Sequence, residues 1–530
     1  MKLISALLAQ IGAIRKRGAR TPEPCPPLAD DPLTVTVDGL KAYASAPGMT
    51  LEALADWLLK SDALQANRLE LEKRLAYVEI FTGANAAGYQ RILDGNLASN
   101  DYRLLMTACT ACYQVNRFRE AYQLLSQFDI SSLDDADCIE YLVFSGYMCH
   151  AAGYPIEEAL AYFDKALQKC VFDLSLFINA YGVYFEAGRH DVVKDLGIAF
   201  HQNHILDPEA TYSLACVELA RDYYAEGFRL LECRYHMPEA HRSINPYLLN
   251  QVRWQGEDLM GKKLLVHGEQ GLGDTVMMVR YLPLLCERGI KVAMDCRAEA
   301  FSLLQHNFPG CEFIVADQKS AIPCSFDVWT GIMSLPFHFN TTVATVPRKS
   351  GYLSVSVDAS AYWMRRVHET SRGGSVSKVG VAWAGNPAHK ADKRRSIPFE
   401  KLAACLKHFP EIDFFSLQLQ EAPERLENLH SFSDELLTLA DTAALIDQMD
   451  IVLSVDTSVV HLAGSIGKDA YLMLPKRYEW RWGLEGEGNA WYGSVKVLRQ
   501  NVHGIWDDVL NQVLSRLSTL KSGGENATVD

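Results

Sequence analysis

A single change of rhythm near Tyr247 constrains this 530-residue chain more than any other feature. From about Leu51 to Tyr247 the text has helical periodicity almost throughout, with short breaks at Gly83, Asn116, Gly153, Gly188 and Asp207. Beyond Tyr247, short apolar runs alternate with amphipathic stretches of helical length. Helix on helix in front and alternating strand and helix behind call for different layer architectures, so the chain divides into an all-helical front and an α/β back.

Within the helical front a phrase recurs: a polar turn, then an amphipathic helix opening on a charged residue. It stands at Arg117-Phe118-Arg119-Glu120-Ala121-Tyr122, Tyr154-Pro155-Ile156-Glu157-Glu158-Ala159, Arg189-His190-Asp191-Val192-Val193 and Asp222-Tyr223-Tyr224-Ala225-Glu226-Gly227. The phrases are roughly 33 to 37 residues apart, close to the period of a tetratricopeptide helix pair. One such phrase is ordinary core, but four in succession predict a helical-repeat solenoid, the alternative being an irregular helical bundle. A solenoid presents a concave groove suited to a protein or peptide partner.

The α/β back contains two sets of apolar runs. The first is Leu264–Val266, Val292–Met294, Phe313–Val315 and Phe326–Trp329; the second is Val379–Trp383, Phe414–Leu417, Ile451–Val455 and Tyr471–Leu474. A polar stretch, Ser371–Lys378, separates them. Two parallel α/β halves facing across a cleft are expected, with ligands beyond the carboxyl ends of the strands. The organisation predicted is an opening helix and linker (1–50), a tetratricopeptide-like domain (51–247), two α/β halves (248–370 and 371–520) and a flexible tail (521–530).

Composition excludes several alternatives. Lys and Arg number 51 against 65 Asp and Glu, a net charge of −14, the wrong sign for a surface that neutralises nucleic-acid phosphates. No apolar run approaches the roughly 18 residues that would span a bilayer. Leu3–Ile14 is too short, and its stronger basic cluster, Arg15-Lys16-Arg17, follows the apolar stretch instead of preceding it as in a signal peptide. It reads as an amphipathic opening helix, with contact at a membrane surface as the lesser alternative. The thirteen cysteines show no disulfide rhythm, which fits a reducing cytoplasm. Cys109 and Cys112 form a C-x-x-C inside a helical pattern without a second ligand pair, so they read as buried thiols and no metal site is expected.

Four loops carry the chemistry. After Leu264–Val266 comes His267-Gly268-Glu269-Gln270-Gly271-Leu272-Gly273-Asp274-Thr275. Gly268 and Gly273 have P-loop spacing, but Asp274 stands where a phosphate-binding lysine would be, and a carboxylate there repels phosphates. What remains is a glycine-rich turn with an acid in the first helical turn, either a helix cap or a catalytic base. After Ile451–Val455 comes Asp456-Thr457-Ser458-Val459-Val460-His461, a helix start whose amides and macrodipole suit a phosphate or diphosphate; a capped helix with a satisfied histidine is the plainer version.

The third loop follows Val379–Trp383 and runs from Ala384-Gly385-Asn386 to Ile397-Pro398. It gathers Lys390, Lys393, Arg394 and Arg395, which are solvated charge or a cationic wall for a diphosphate. The fourth groups Trp480-Arg481-Trp482 with Trp491-Tyr492, aromatics that stack on a sugar or base or else pack in the core. Gln418, after Phe414–Leu417, qualifies by position as a ribose or base contact.

Taken together, these loops resemble the catalytic region of bacterial tetratricopeptide-repeat proteins related to glycosyltransferase family nine, the heptosyltransferases. The resemblance rests on Gly268–Asp274 with Arg280-Tyr281-Leu282-Pro283, Trp383–Pro387 through Arg395–Pro398, Asp441–Ile446, Ser454–Ser458 through His461–Gly464, and the two tryptophan clusters. It spans about 250 to 500; the helical front fits by period alone. It implies a GT-B fold of two Rossmann-like halves, with acceptor mainly on the first and nucleotide-sugar on the second. No metal or other cofactor is implied beyond the nucleotide-sugar co-substrate.

On that resemblance Asp274 maps to the base, and Asp456, Thr457, Ser458 and His461 map to the phosphate-contacting segment. Arg395 stands where the family carries lysine, and Ser458 where it carries glycine. Lys390, Asn386 and Gln418 join them on the donor side, while Glu269, Gln270, Gly271, Gly273, Arg481 and Trp482 fall on the acceptor side. A repeat groove joined to such a region is similar to protein glycosyltransferases, including those that modify flagellin. The expectation is sugar transfer to a protein acceptor in the cytoplasm. A non-catalytic adaptor and a nucleotide-sugar epimerase are the alternatives.

Overall fold

The computed structural model describes residues 28–523, apart from 30–31, 47, 170–173, 204–207, 238–243, 317–320, 348–350, 373–375, 388–391 and 503. The predicted helix at Leu3–Ile14, the last residues of the tail, and Asp207 lie outside the described residues. The chain forms two compact units, one ending at Ile205 and one beginning at Leu206.

Among its described residues the first unit contains helices and turns and no strand. After short helices at Val37–Ala44, Leu51–Leu59 and Asp62–Ala66, four helical hairpins follow: Arg68–Phe81 with Asn85–Gly95, Tyr102–Gln114 with Phe118–Ser126, Asp135–Ala151 with Ile156–Lys169, and Leu174–Glu186 with His190–Asn203. Their turns share one device. Gly83, Asn116, Gly153 and Gly188 all adopt left-handed backbone (φ 93, 60, 79 and 74°), the conformation that closes a helix. In each, the next N–H reaches back to a carbonyl five residues earlier: Ala84 to Glu79, Arg117 to Cys112, Tyr154 to Cys149, Arg189 to Tyr184. The second helix of each hairpin presents a buried small or β-branched residue to its neighbours, Gly88, Ala121, Ala159 and Val193 in turn. At Gly88 a Cβ would come within 2.7 Å of Ile80, so the close approach requires glycine. Cys109 and Cys112 are both buried, and burial pushes Cys112 up to about 12, leaving inert thiols.

The second unit opens with one more hairpin, Pro208–Ala220 with Tyr224–Leu231, closed by left-handed Asp222 (φ 66°). By sequence period this hairpin counts with the repeats. It belongs instead to the second unit because its aromatic face is taken up there: Tyr224 stacks on Trp491 at 5.5 Å, and Phe228 meets Trp480 edge-on at 5.6 Å.

Two parallel sheets follow. The first contains β1 (Lys263–His267), β2 (Lys291–Cys296), β3 (Glu312–Val315) and β4 (Val328–Gly331) in the order β3-β2-β1-β4. The second contains β5 (Lys378–Ala382), β6 (Asp413–Ser416), β7 (Leu429–His430), β8 (Ile451–Val455), β9 (Ala470–Leu474) and β10 (Val495–Arg499), ordered β10-β9-β8-β5-β6-β7. Every strand pair is parallel. The runs Val379–Ala382 and Ile451–Val455 are buried at every position, as expected of parallel strands covered on both faces.

In each sheet the winding reverses beside the first strand, between β1 and β4 and between β5 and β8. Loops diverge at such a point and leave a crevice at the carboxyl ends. The loops after β1, β5 and β8 are three of the four that the sequence marks. Helix Val357–Thr370 precedes the polar stretch but packs with the second half: Tyr362 and Arg366 hold Glu435, and Trp363 meets Phe432 at 5.4 Å.

Candidate functional site

The loop after β1 brings its acid to the second half of the unit. Asp274 is the third residue of helix Leu272–Met278, and its Oδ2 accepts the N–H of Gly271 at 3.1 Å. That is the cap interaction. Its Oδ1 is held by the guanidinium of Arg481, 207 positions away. Asp274 is therefore both a helix-start acid and one side of a contact between the halves.

Next to it, Gly273 packs on His461, where a Cβ would lie 2.7 Å from His461 Cδ2. Any larger residue would force the loop off the helix at Ser458–Ile466. Gln270 supports the same turn in left-handed backbone (φ 68°), an uncommon conformation for a non-glycine. At Gly268 a Cβ would stand 2.6 Å from the Asp295 carbonyl.

On the second half, Thr457 caps helix Ser458–Ile466, accepting the Val459 N–H at 3.4 Å, with Ser458 in the first turn. Asp456, just before it, accepts Arg395 Nη1 at 2.9 Å through its backbone oxygen. Burial pushes the Asp456 carboxyl up to about 6, against the pull of Arg481 and Arg395. His461 is buried with Nδ1 2.8 Å from the Tyr492 hydroxyl and Nε2 4.0 Å from Asp456 Oδ1. Burial, helped by nearby Arg481, lowers it to about 3, so the ring is neutral at ordinary pH.

Arg395 ends the short helix Asp392–Arg395, with Nε 3.2 Å from Asp392. Gly385 makes room for it, since a Cβ there would be 2.3 Å from Arg395 Nη2. Asn386 lies exposed in the same loop, and Lys390 lies outside the described residues. Gln418 is buried, and its Oε1 accepts the N–H groups of Trp383 (3.0 Å) and Ala384 (3.2 Å), tying the loop after β5 to the end of β6. Trp482 is buried, its ring 5.2 Å from that of His461.

The structure thus brings together Asp274, Gly273, Arg481, Trp482, Asp456, Thr457, Ser458, His461 and Arg395. It does not bring Glu269 to them. Glu269 is buried, and Arg234, just beyond the hairpin Pro208–Leu231, donates Nε and Nη2 to its two oxygens at 2.9 and 2.6 Å.

In the sequence Arg280 stands within a motif but has no assigned role. It is buried, donates to the Trp491 carbonyl (2.8 Å) and the Tyr352 hydroxyl (3.0 Å), and stacks 5.0 Å from the Tyr492 ring that carries His461. Helix Pro208–Ala220 runs beside Trp480–Trp482, and Cys216, burial and the charges of Glu479 and Asp274 push its Tyr212 hydroxyl above the ordinary tyrosine value, against the pull of Arg481. Tyr212 bears no motif that could have singled it out. Among the described residues, no group of three or more His, Cys, Asp or Glu could hold a metal ion, and no helix is long and apolar enough to cross a membrane.

No protein-family model matches the chain. Protein FlbA of Caulobacter vibrioides is 26% identical over 339 residues, covering 58% of this chain and 54% of that protein. The chain therefore spans about half the length of this curated relative. Among solved structures, a glycosyl transferase family 9 protein from Veillonella parvula is similar over 50% of this chain and 98% of its own, with 12% identity and a TM-score of 0.38. The ADP-heptose lipopolysaccharide heptosyltransferase II of E. coli covers 50% of this chain and 99% of its own, with 13% identity and a TM-score of 0.34.

Proposed function

We propose that the chain is an inverting, metal-independent glycosyltransferase of GT-B type that moves a sugar from a nucleotide-sugar to a hydroxyl of a protein acceptor. One observation carries this reading. The acid at the turning point of the first sheet and the helix start, backed by Arg395, at the turning point of the second converge on one small region. An inverting transfer needs that division of labour. A carboxylate takes the acceptor proton on one side, while amides and cations on the other stabilise the phosphate that departs with the bonding pair.

In this scheme Asp274 Oδ1 receives the hydroxyl proton and the acceptor oxygen bonds to the anomeric carbon. The sugar–phosphate bond breaks toward the N–H groups at Ser458–Val460 and Arg395. Neutral His461, its Nδ1 engaged by Tyr492, has an Nε2–H to offer a phosphate oxygen. Asn386, exposed in the loop after β5, extends the donor side. The helical hairpins of the first unit, proposed as a tetratricopeptide solenoid, supply the groove for the protein acceptor.

The adaptor reading draws on one observation: both oxygens of Asp274 already have partners. One experiment decides between them. The full-length protein is screened for thermal stabilisation by a panel of ADP-, GDP-, UDP- and CDP-sugars, and the stabilising donor is assayed for hydrolysis and transfer. Stabilisation with turnover that Asp274→Asn abolishes supports the enzyme; no stabilisation and no turnover leaves the adaptor. Turnover to an altered free nucleotide-sugar without acceptor would indicate an epimerase.

A further inference from the structure

Three arginines stand at the site in the described residues, and they are held differently. Arg395 is fixed by the Asp456 carbonyl and by Asp392 within its own helix. Arg280 is fixed by the carbonyls of Met277 and Trp491 and the Tyr352 hydroxyl. Backbone carbonyls do not move away when a ligand arrives. Arg481 is held instead by a carboxylate from the opposite half, Asp274, with Glu479 Oε2 a further 3.8 Å from it. Its guanidinium also lies 4.9 Å from the Trp480 ring. Trp482, the next residue, packs on His461 in the first turn of helix Ser458–Ile466. Arg481 therefore stands between the acid of one half and the anion-attracting helix start of the other.

We propose that Arg481 exchanges anions. Arg481 is bound to Asp274; a nucleoside diphosphate seated at Ser458 draws it away, and Asp274 Oδ1 is then open to the acceptor hydroxyl. The proposal rests on the glycosyltransferase reading and makes Arg481 a positioning residue that couples donor binding to the base. No bond forms or breaks in the exchange. One guanidinium serves two competing anions, and whichever ligand it prefers displaces the other by the same coupling free energy in both directions. Such coupling orders the reaction, because an acceptor cannot be deprotonated until a donor has arrived.

Reciprocity makes the test sharp. The full-length protein is titrated calorimetrically with ADP, GDP, UDP and CDP, and the tightest is carried through Asp274→Asn, Arg481→Gln and the double variant. Asp274→Asn should bind that diphosphate about fivefold or more tightly, because the competing anion is gone. Arg481→Gln should bind it about tenfold more weakly. In the Arg481→Gln background, Asp274→Asn should change affinity by less than about twofold.

An equal gain from Asp274→Asn in both backgrounds would mean simple relief of charge repulsion and would overturn the exchange. So would an Asp274→Asn variant whose affinity is unchanged or weaker than wild type. Arg481→Met, of similar length and apolar, replaces Arg481→Gln should the latter not fold. If none of the four diphosphates binds the wild-type protein, the glycosyltransferase reading fails, an outcome distinct from tight binding without coupling.

Discussion

Two acids five residues apart in one loop, Glu269 and Asp274, are each paired with an arginine, and the two pairs have little else in common. Glu269 is 0% exposed. Arg234 meets both its oxygens, and the Met333 N–H adds a third donor at 3.2 Å. The rest of the Arg234 fork goes to Ser334, Tyr235, the Leu231 carbonyl and Glu232. Gly331 passes so close that a Cβ would lie 2.0 Å from Glu269 Oε1, which leaves no room for a ligand. Asp274 has one arginine, one N–H and 14% of its side chain exposed, and its partner comes from the other half of the unit. A sealed, fully paired charge holds structure; breaking it strands its partner. An acid that is partly exposed and held by one arginine from the opposite half is the one of the two placed to exchange its partner.

Four substitutions test the difference between the two acids and their surroundings. The largest effect is expected from Glu269→Ala, which leaves Arg234 buried without its carboxylate. It should lose about 3–5 kcal/mol of stability in urea unfolding, and a loss under about 1 kcal/mol would remove the distinction between the two acids. Asp274→Asn should do the reverse. Turnover should fall by roughly 10²-fold or more without loss of donor binding, while unfolding shifts by no more than about 1 kcal/mol, because the amide oxygen still caps Gly271. Wild-type turnover in that variant would contradict the role of Asp274.

Gly273→Ala forces a methyl against the packed ring of His461, and about 1–3 kcal/mol of destabilisation is expected from differential scanning calorimetry. Tolerance of alanine would show that the halves can separate there freely.

The smallest effect concerns pH. His461, lowered to about 3, is fully stabilising above the ordinary histidine value of roughly 6.5, and that contribution is lost as pH falls toward 3. Asp456, raised to about 6, opposes this: its burial costs stability above pH 6, and the cost is relieved as pH falls through 6. Asp456→Asn removes the opposing contribution. Its unfolding free energy should therefore fall more steeply than wild type between pH 6 and 4, by up to about 1 kcal/mol per pH unit. A parallel pH profile would show that Asp456 titrates normally.

Much of the architecture is legible in the sequence. Gly83, Asn116, Gly153 and Gly188 stand out as helix breaks, and all four close helices with left-handed backbone. The eight expected strands all exist, although the run at Phe326 begins pairing as a strand only at Val328. Two strands escape a reading by pattern. β7 is two residues long, and β10, Val-Lys-Val-Leu-Arg, lies at the sheet edge with too short an alternation to separate from loop. At the site, Asp274 is visible as either cap or base, and the structure makes the cap contact while adding Arg481. Gln418 qualifies by position as a ligand contact, yet its oxygen is taken up by two backbone amides. Glu269, grouped by sequence with the acceptor loop, is sealed against Arg234.

What the sequence alone determined was everything carried by short-range physics: helical period, turn residues, strand alternation and the residue types at strand ends. These depend on hydrogen bonds and side-chain spacing within a few positions. Only the tertiary structure decided which charges meet. The partners of Asp274, Glu269 and Arg280 lie 207, 35 and 211 positions away, and the hairpin at Pro208–Leu231 joins the second unit through a ring at Trp491. An ion pair holds only within a few ångströms, so its choice of partner follows from how the packed layers align, a quantity that no local pattern encodes.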